Sequence, residues 1–257
     1  MSQISRVFKP GRKALIAYLT VGYPSLEATL KAVPLMAEAG CDMVELGIPF
    51  SDPMADGVTI QRASFTALKN GVTPALCLEI AGQIHKKIDT PLLFMTYFNI
   101  IYSYGPEEFC QKASRAGVSG LIIPDLPPEE GTELEGPARE AGIDIIYFLA
   151  PTSTDERIRL VGEKSSGFIY LTSVSGVTGA REKLPEELPQ FIKKVKDITG
   201  KLVCVGFGIS SPKQAAEVAR LADGVIIGSR LLEILSSEGY PALEEFVKKT
   251  REAIDNI

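Results

Sequence analysis

The segment ELGIPFSDPMADG, residues 45–57, places three carboxylates at the end of an apolar strand pattern. Glu45 is the fourth residue of the run DMVEL, and Asp52 and Asp56 follow in a loop with two prolines. No lysine, arginine or histidine lies among them. Because a charge among apolar residues is costly unless it is paired, we expect burial to raise the pKa of Glu45 above its ordinary value. Glu45 is therefore predicted to donate a proton near neutral pH.

Each of these acids also has a simpler structural interpretation. Backbone N–H groups at the strand end are alternative partners for Glu45. Asp56 precedes a glycine, which is typical of a turn. Asp52 precedes Pro53, and we interpret both as loop or interface residues rather than catalytic ones.

The remaining composition excludes several kinds of chemistry. The sole histidine, His85, lies in the polar sequence IHKK and is predicted to be solvated, which excludes a histidine zinc site and a Ser–His triad. No lysine lies within a strand pattern or at its end, which argues against a Schiff base; Lys13 and Lys201 precede their strands. These exclusions leave acid–base catalysis by carboxylates, without a metal ion.

Eight apolar runs must position these residues. Nearly continuous runs of this kind are typical of parallel strands covered by helices. They are ALIAYL, DMVEL, PLLFMTY, SGLII, DIIYFL, GFIYLT, LVCVG and DGVIIG. Helical patterns alternate with them, and EAG, RAG and EAG each end a helix before a strand restarts. The sequence predicts one (β/α)8 TIM barrel domain, residues 1–257, with an extra helix before the third strand and a long loop after the sixth.

Glycines follow the seventh and eighth strand patterns. GFGIS contains Gly208, and Gly228 and Ser229 begin the last βα turn. In this fold the loops after these two strands commonly bind phosphate, with backbone N–H groups at a helix N-terminus. The long loop SVSGVTGAREKLP after the sixth strand has the composition of a lid, although a plain loop is the alternative.

The charge and the termini indicate a cytoplasmic protein. The formal net charge is −5, which gives no electrostatic reason to expect nucleic acid or an anionic membrane as a partner. The first residues lack the apolar core of a signal peptide, and the four scattered cysteines are read as reduced thiols.

The motifs ELGIPFSDPMADG, SGVTGA and GFGIS, in this order, resemble the alpha subunit family of tryptophan synthase over almost the whole chain. The resemblance implies retro-aldol cleavage of indole-3-glycerol phosphate to indole and glyceraldehyde 3-phosphate. It implies Glu45 as the acid–base residue, Asp56 as the partner of the indole N–H, and Tyr170 as a residue that orients Glu45. Tyr18 stands where we expect phenylalanine in this family.

The same resemblance implies the remaining site residues and the partner. Phosphate ligands are Gly179, Gly208, Gly228 and Ser229, and pocket residues are Tyr18, Ile60, Met95, Tyr97, Thr178 and Phe207. Asp52 and Pro53 face a beta subunit in an alpha2beta2 heterotetramer. Pyridoxal phosphate belongs to that beta subunit, so no cofactor and no metal are expected in this chain.

Three alternatives stay open at this point. A phosphosugar isomerase on the same barrel would share the phosphate site, but it would need acid–base groups on opposite sides of the barrel. A second alternative is an indole-releasing lyase that acts without a beta subunit. A third is a non-catalytic regulatory barrel, against which the retained Glu45 and Asp56 argue.

Overall fold

A parallel β-sheet forms the centre of the chain. The structure is a computed structural model that describes residues 2–172, 186–206 and 208–257. Within these ranges the sheet has nine strands, all paired in parallel. Strands β1 to β9 are, in order, Ala14–Thr20, Met43–Gly47, Leu92–Met95, Val118–Ile122, Asp144–Ile146, Phe148–Leu149, Ile169–Thr172, Val203–Gly206 and Gly224–Ile227.

Helices connect the strands and cover the outside of the sheet. In the described part of the chain, helices α1 to α11 are Leu26–Glu38, Val58–Lys69, Pro74–His85, Phe98–Tyr104, Pro106–Arg115, Thr132–Glu140, Asp155–Lys164, Leu188–Thr199, Pro212–Ala219, Ser229–Ser237 and Tyr240–Asp255. The predicted extra helix before the third strand is confirmed as α3, which Thr73 caps by accepting a hydrogen bond from the Leu76 N–H.

The strand order makes the sheet a nearly closed barrel. The order is β5-β4-β3-β2-β1-β9-β8-β7-β6, and β5 and β6 are separated only by Tyr147. The two ends of the sheet therefore meet, because one short stretch of chain pairs with β4 on one side and with β7 on the other. This closure confirms the predicted TIM barrel.

The prediction of one continuous fifth strand is wrong. Its run, DIIYFL, is divided at Tyr147 into β5 and β6. The Tyr147 N–H donates to the Ser165 hydroxyl rather than to a neighbouring strand, at 3.4 Å. Pairing therefore changes partner at this residue, and the regular strand is interrupted there.

Alternate residues of each strand point into the barrel. Ile16, Met43, Leu93 and Ile226 belong to a buried cluster that fills this interior. The fully buried Ile4 of the N-terminal segment joins the same cluster and closes the barrel at the amino ends of the strands. A larger cluster lies between the outer strand faces and the helices.

Glycines end the helices that the sequence motifs marked. Gly40, Gly117 and Gly142 have φ values of 115°, 80° and 71°. These values lie in the region that favours glycine, so each residue turns the chain out of a helix and into the next strand. The interpretation of the three repeated motifs is confirmed.

An ion-pair network fixes the C-terminal helix to the amino end of the barrel. The Asp42 carboxylate accepts from the Arg251 guanidinium at 2.9 Å, from Arg12 at 2.8 Å and from the Leu15 N–H at 2.8 Å. Arg251 also donates to the Lys13 carbonyl at 3.0 Å. The network thus joins β1, the start of β2 and α11.

Candidate active site

Glu45 lies inside the barrel near the carboxyl end of β2. It belongs to the inward-facing positions of this strand and is 0% exposed. Neither carboxylate oxygen has a hydrogen-bond partner in the part of the chain that the structure describes. Burial therefore raises the pKa of Glu45 from its ordinary value of 4.5 to about 8. Capping of Glu45 by backbone N–H groups, the simpler interpretation above, is wrong.

Two buried tyrosines lie around Glu45 on the inner face of the barrel. Tyr18 pairs with Glu45 in the register between β1 and β2, and Tyr170 of β7 pairs with Cys204 of β8. Burial raises the pKa of Tyr170 well above its ordinary value, and the negative charge of Glu45 adds to this rise. Tyr170 thus lies near Glu45 as expected, but no hydrogen bond joins them in this structure.

Two glycines make room for these aromatic rings. A Cβ atom at Gly47 would lie 2.2 Å from the Tyr18 hydroxyl oxygen, and one at Gly206 would lie 2.5 Å from the Tyr170 hydroxyl oxygen. Both distances are too short for any side chain at these positions. Glycine at the ends of β2 and β8 is therefore required for the tyrosines to reach over the barrel interior.

Asp56 lies in the acidic loop, which we define as residues 48–57 between β2 and α2. Burial raises the pKa of Asp56 to about 6, and a hydrogen bond with the Tyr97 hydroxyl opposes this rise. The Tyr97 hydroxyl also accepts from the Ala55 N–H at 2.9 Å, and its ring stacks on Phe50 at a centroid distance of 4.9 Å. Tyr97 therefore holds the acidic loop against β3, and Asp56 is positioned as a carboxylate at neutral pH.

The predicted phosphate ligands Gly208, Gly228 and Ser229 lie beyond the carboxyl ends of β8 and β9. Gly208 has a φ of 54°, and Ser211 caps α9 by accepting from the Gln214 N–H. Ser229 is the first residue of α10, so N–H groups of its first turn have no acceptor within the helix. These are donors of the kind that bind a phosphate.

The sheet order brings the acid and these donors to the same end of the barrel. β2, β1, β9 and β8 are consecutive neighbours. Because parallel strands are about 4.8 Å apart, β2 and β9 are separated by about 10 Å. The start of α10 and Glu45 therefore lie on opposite sides of β1.

The other predicted residues have various positions. Met95 lies at the end of β3 beside Gly47, and Ile60 is 9% exposed on α2. Asp52 is exposed in the acidic loop, and Pro53 is half-buried. Thr178, Gly179 and Phe207, together with the predicted lid, lie outside the described residues.

Thr20 is a polar residue beside the candidate site that the sequence analysis did not name. It is fully buried on the inner face of β1, and its hydroxyl lies 3.2 Å from that of Tyr18. The signal was present in the sequence, since Thr20 follows Tyr18 at the two-residue spacing of one strand face.

The geometry provides a neutral carboxyl group, a nearby carboxylate and backbone donors at one end of the barrel. A protonated Glu45 can donate to a ligand, and ionised Asp56 can stabilise a positive charge that forms on it. Among the described residues, no group of three or more histidine, cysteine, aspartate or glutamate side chains is placed to hold a metal ion. In the same ranges, no helix is long and apolar enough to cross a membrane.

Comparison with known proteins gives a consistent result. The tryptophan synthase alpha chain family matches residues 4–256. The tryptophan synthase alpha chain of Dehalococcoides mccartyi is 55% identical, over 99% of this chain and 100% of that protein. The one from Chloroflexus aggregans is 49% identical, over 98% and 97%.

Solved structures agree with this result. A chain of Mycobacterium tuberculosis tryptophan synthase superposes with a TM-score of 0.93 at 38% identity, covering 98% of both chains. The alpha subunit of tryptophan synthase from Legionella pneumophila superposes with a TM-score of 0.92 at 35% identity, covering 100% of both chains.

Proposed function

Because the chain belongs to the tryptophan synthase alpha chain family, and so is a lyase that cleaves indole-3-glycerol phosphate in tryptophan biosynthesis, we propose that Glu45 is its acid–base residue. The observation that carries this proposal is the fully buried, unpartnered carboxyl group, whose pKa is about 8. Such a group is protonated at neutral pH and is not engaged in a structural hydrogen bond.

Glu45 alone can carry both proton transfers that the cleavage requires. The protonated carboxyl group donates its proton to the indole ring carbon that bears the glycerol chain. The bond between that carbon and the chain then breaks as the adjacent chain hydroxyl loses its proton, which leaves indole and the aldehyde of glyceraldehyde 3-phosphate. The proton from the hydroxyl returns to the Glu45 carboxylate, so the enzyme ends the cycle in its starting state.

Asp56 stabilises the intermediate of this reaction. Protonation of the ring carbon leaves a positive charge on the indole nitrogen, and a fixed carboxylate lowers the energy of that state. Asp56 is ionised above a pH of about 6 and is held by Tyr97. It therefore accepts a hydrogen bond from the indole N–H, while Tyr170 beside Glu45 limits the positions that the acid adopts.

Glu45 must move to reach the ring. Its side chain is 0% exposed, so no ligand touches the carboxyl group in the arrangement described. We expect its side chain to rotate toward the carboxyl end of β2, where Gly47 lies next to the Tyr18 hydroxyl. The phosphate binds at Gly208, Gly228 and Ser229, with Gly179 of the lid as a further ligand. Tyr18, Ile60, Met95, Tyr97, Thr178 and Phe207 line the pocket of this single-domain barrel.

The partner is a tryptophan synthase beta subunit in an alpha2beta2 heterotetramer. The acidic loop supports this, because Met54, next to Asp52 and Pro53, is 93% exposed and Val58 at the start of α2 is 58% exposed. Exposed apolar side chains of this size are typical of a surface that a partner covers. The pyridoxal phosphate of the complex belongs to the beta subunit, and this cytoplasmic chain carries no cofactor.

The test is an assay of indole release from indole-3-glycerol phosphate by the purified chain. The assay is repeated after addition of a beta subunit, with serine withheld so that indole accumulates. We expect slow indole release by the chain alone and faster release in the complex. No release in either case contradicts the proposed chemistry, and a rate that the beta subunit leaves unchanged favours a lyase that acts alone.

A further inference from the structure

The hydroxyl groups of Tyr18 and Thr20 form a buried pair between Glu45 and α10. Their oxygen atoms are 3.2 Å apart on the inner face of β1. Tyr18 is 5% exposed and Thr20 is 0% exposed, so Tyr18 is the member of the pair that a ligand can reach, and Thr20 holds its hydroxyl in place. In the described residues each hydroxyl has only the other as a hydrogen-bond partner.

This pair has an unused proton. Each hydroxyl carries one O–H donor, and a single hydrogen bond between the two uses only one of them. Within the described ranges the second O–H has no acceptor, and both oxygens retain free lone pairs. Each hydroxyl therefore has one partner, and the pair keeps the capacity to donate to and accept from one further hydroxyl group, such as one on a ligand.

The position of the pair specifies which ligand atom it meets. Tyr18 pairs with Glu45 in the register of β1 and β2, and Thr20 pairs with Gly47, one inward-facing position further toward the carboxyl end. On the other side, a Cβ atom at Gly228 would lie 3.2 Å from Cδ1 of the Tyr18 ring. The Tyr18 side chain therefore extends from the candidate phosphate site to the position above the candidate acid.

We propose that the Tyr18 hydroxyl, positioned by its hydrogen bond with Thr20, binds the hydroxyl group on the middle carbon of the glycerol chain of indole-3-glycerol phosphate. This rests on the proposed function, which fixes the two ends of the substrate. The first chain carbon, which is bonded to the ring, lies at Glu45, and the third, which carries the phosphate, lies at Gly228 and Ser229. The middle carbon then lies over β1, where Tyr18 and Thr20 are.

The role assigned to the pair is positioning and specificity. The middle hydroxyl takes no part in bond breaking, so a contact with it contributes binding free energy and fixes the chain relative to Glu45. A site built to hydrogen-bond a substrate hydroxyl rejects the analogue that lacks it, because its own polar groups are then left unpaired. Tyr18 and Thr20 thus discriminate between the substrate and its analogue without a hydroxyl on the middle carbon.

The test compares these two ligands in the full-length chain. The Glu45→Gln variant prevents turnover, and calorimetry gives the Kd of indole-3-glycerol phosphate and of its analogue deoxygenated at the middle carbon. Adding Tyr18→Phe or Thr20→Val raises the Kd of the substrate about tenfold, as expected for a lost hydrogen bond in a buried site, and leaves the Kd of the analogue unchanged. Tyr147→Phe, which removes a buried hydroxyl that donates to Glu135, is the matched control and changes neither value.

Two results overturn the inference. Equal weakening of both ligands shows that the pair only supports the pocket, and an unchanged Kd for the substrate shows that the pair does not touch it. Tyr18→Phe keeps the ring over Gly228, so this variant decides the question if Thr20→Val does not fold. If the unaltered chain neither binds nor cleaves indole-3-glycerol phosphate, the proposed function itself fails, which separates that outcome from the other two.

Discussion

The Tyr97 hydroxyl, just beyond β3, lies beside the carboxyl group of Asp56 in the acidic loop and opposes the rise in its pKa. The same hydroxyl accepts from the backbone N–H of Ala55. One tyrosine thus fixes the position of the carboxylate that faces the developing charge on the substrate. Tyr97 is therefore a positioning residue as well as part of the pocket wall.

Asp56→Asn is expected to lower kcat/KM for indole release by about 10²- to 10³-fold, because the neutral amide no longer stabilises the positively charged ring. Since burial raises the pKa of Asp56 to about 6, the unaltered enzyme also loses activity as the pH falls through 6. Steady-state assays from pH 5 to 7 measure both effects. In Asp56→Asn the loss near pH 6 disappears, whereas Asp89→Asn, an exposed residue before β3, retains it. An Asp56→Asn variant with near-normal kcat/KM contradicts the role of Asp56.

Glu45→Gln is expected to reduce the rate of indole release by about 10²- to 10⁴-fold, because the amide donates no proton to the ring carbon. The phosphate donors are unchanged, so glycerol phosphate analogues bind with the same Kd. Single-turnover indole assays and calorimetry measure the two quantities. Glu140→Gln, on the exposed end of α6, is the control. Substantial turnover by Glu45→Gln would remove Glu45 from the acid role.

The free energy of unfolding is expected to depend on pH through Glu45. Its pKa is 4.5 in its ordinary state and about 8 in the folded protein, so between these values the folded chain keeps a proton that the unfolded chain has lost. Stability from this group is complete below pH 4.5 and is lost as the pH rises toward 8, by on the order of a few kcal/mol. Urea denaturation at pH 5, 6.5 and 8 should show the stability of the unaltered protein falling relative to that of Glu45→Gln. A constant difference between the two proteins refutes this prediction.

Ser229→Asp is expected to weaken binding of glycerol phosphate analogues by more than tenfold, because it places a negative charge where the phosphate binds. The same charge at the N-terminus of α10 interacts favourably with the helix dipole, so the free energy of unfolding stays equal or increases slightly. Calorimetry and urea denaturation separate these opposite effects. If affinity and stability fall together, the variant has damaged the helix, and unchanged affinity places the phosphate elsewhere.

Arg251→Gln is expected to lower the free energy of unfolding by about 3 kcal/mol, because it leaves one side of the Asp42 carboxylate without its buried cation. Arg12→Gln is the matched control: Arg12 also pairs with Asp42, but its side chain is 41% exposed. The loss for Arg12→Gln should be below about 1 kcal/mol. Urea denaturation at pH 7 measures both, and equal losses would show that burial of Arg251 does not strengthen its pairing.

Most of the barrel could be predicted because its strands are local apolar runs with turn glycines at fixed places. β1 and β4 begin at Ala14 and Val118, close to the predicted starts. The division of the fifth run at Tyr147 could not be predicted, because it depends on the hydroxyl of Ser165, a contact between residues far apart in sequence. Apolar patterns do not carry information about such a contact.

Only part of the candidate site could be predicted, again because contacts between distant segments leave no local pattern. The burial of Glu45 follows from its apolar neighbours in one strand, and the structure agrees. The hydrogen bond between the Ala55 N–H and the Tyr97 hydroxyl joins two segments that only the folded barrel brings together, so spacing in the sequence gives no sign of it. The position of Thr20 could have been predicted, because residues two apart in a strand, such as Tyr18 and Thr20, lie on the same face. The roles of Thr178, Gly179 and Phe207 stay predictions.

The pairing of β1 with β9 has a consequence for how the protein is made. Ile16 pairs with Ile226, so the ring is closed by segments from opposite ends of the chain. While the protein emerges from the ribosome, one edge of β1 has no partner until nearly all of the sequence has been translated. Open strand edges of this kind are prone to pair with other chains, so β1 is exposed to aggregation until β9 has been made.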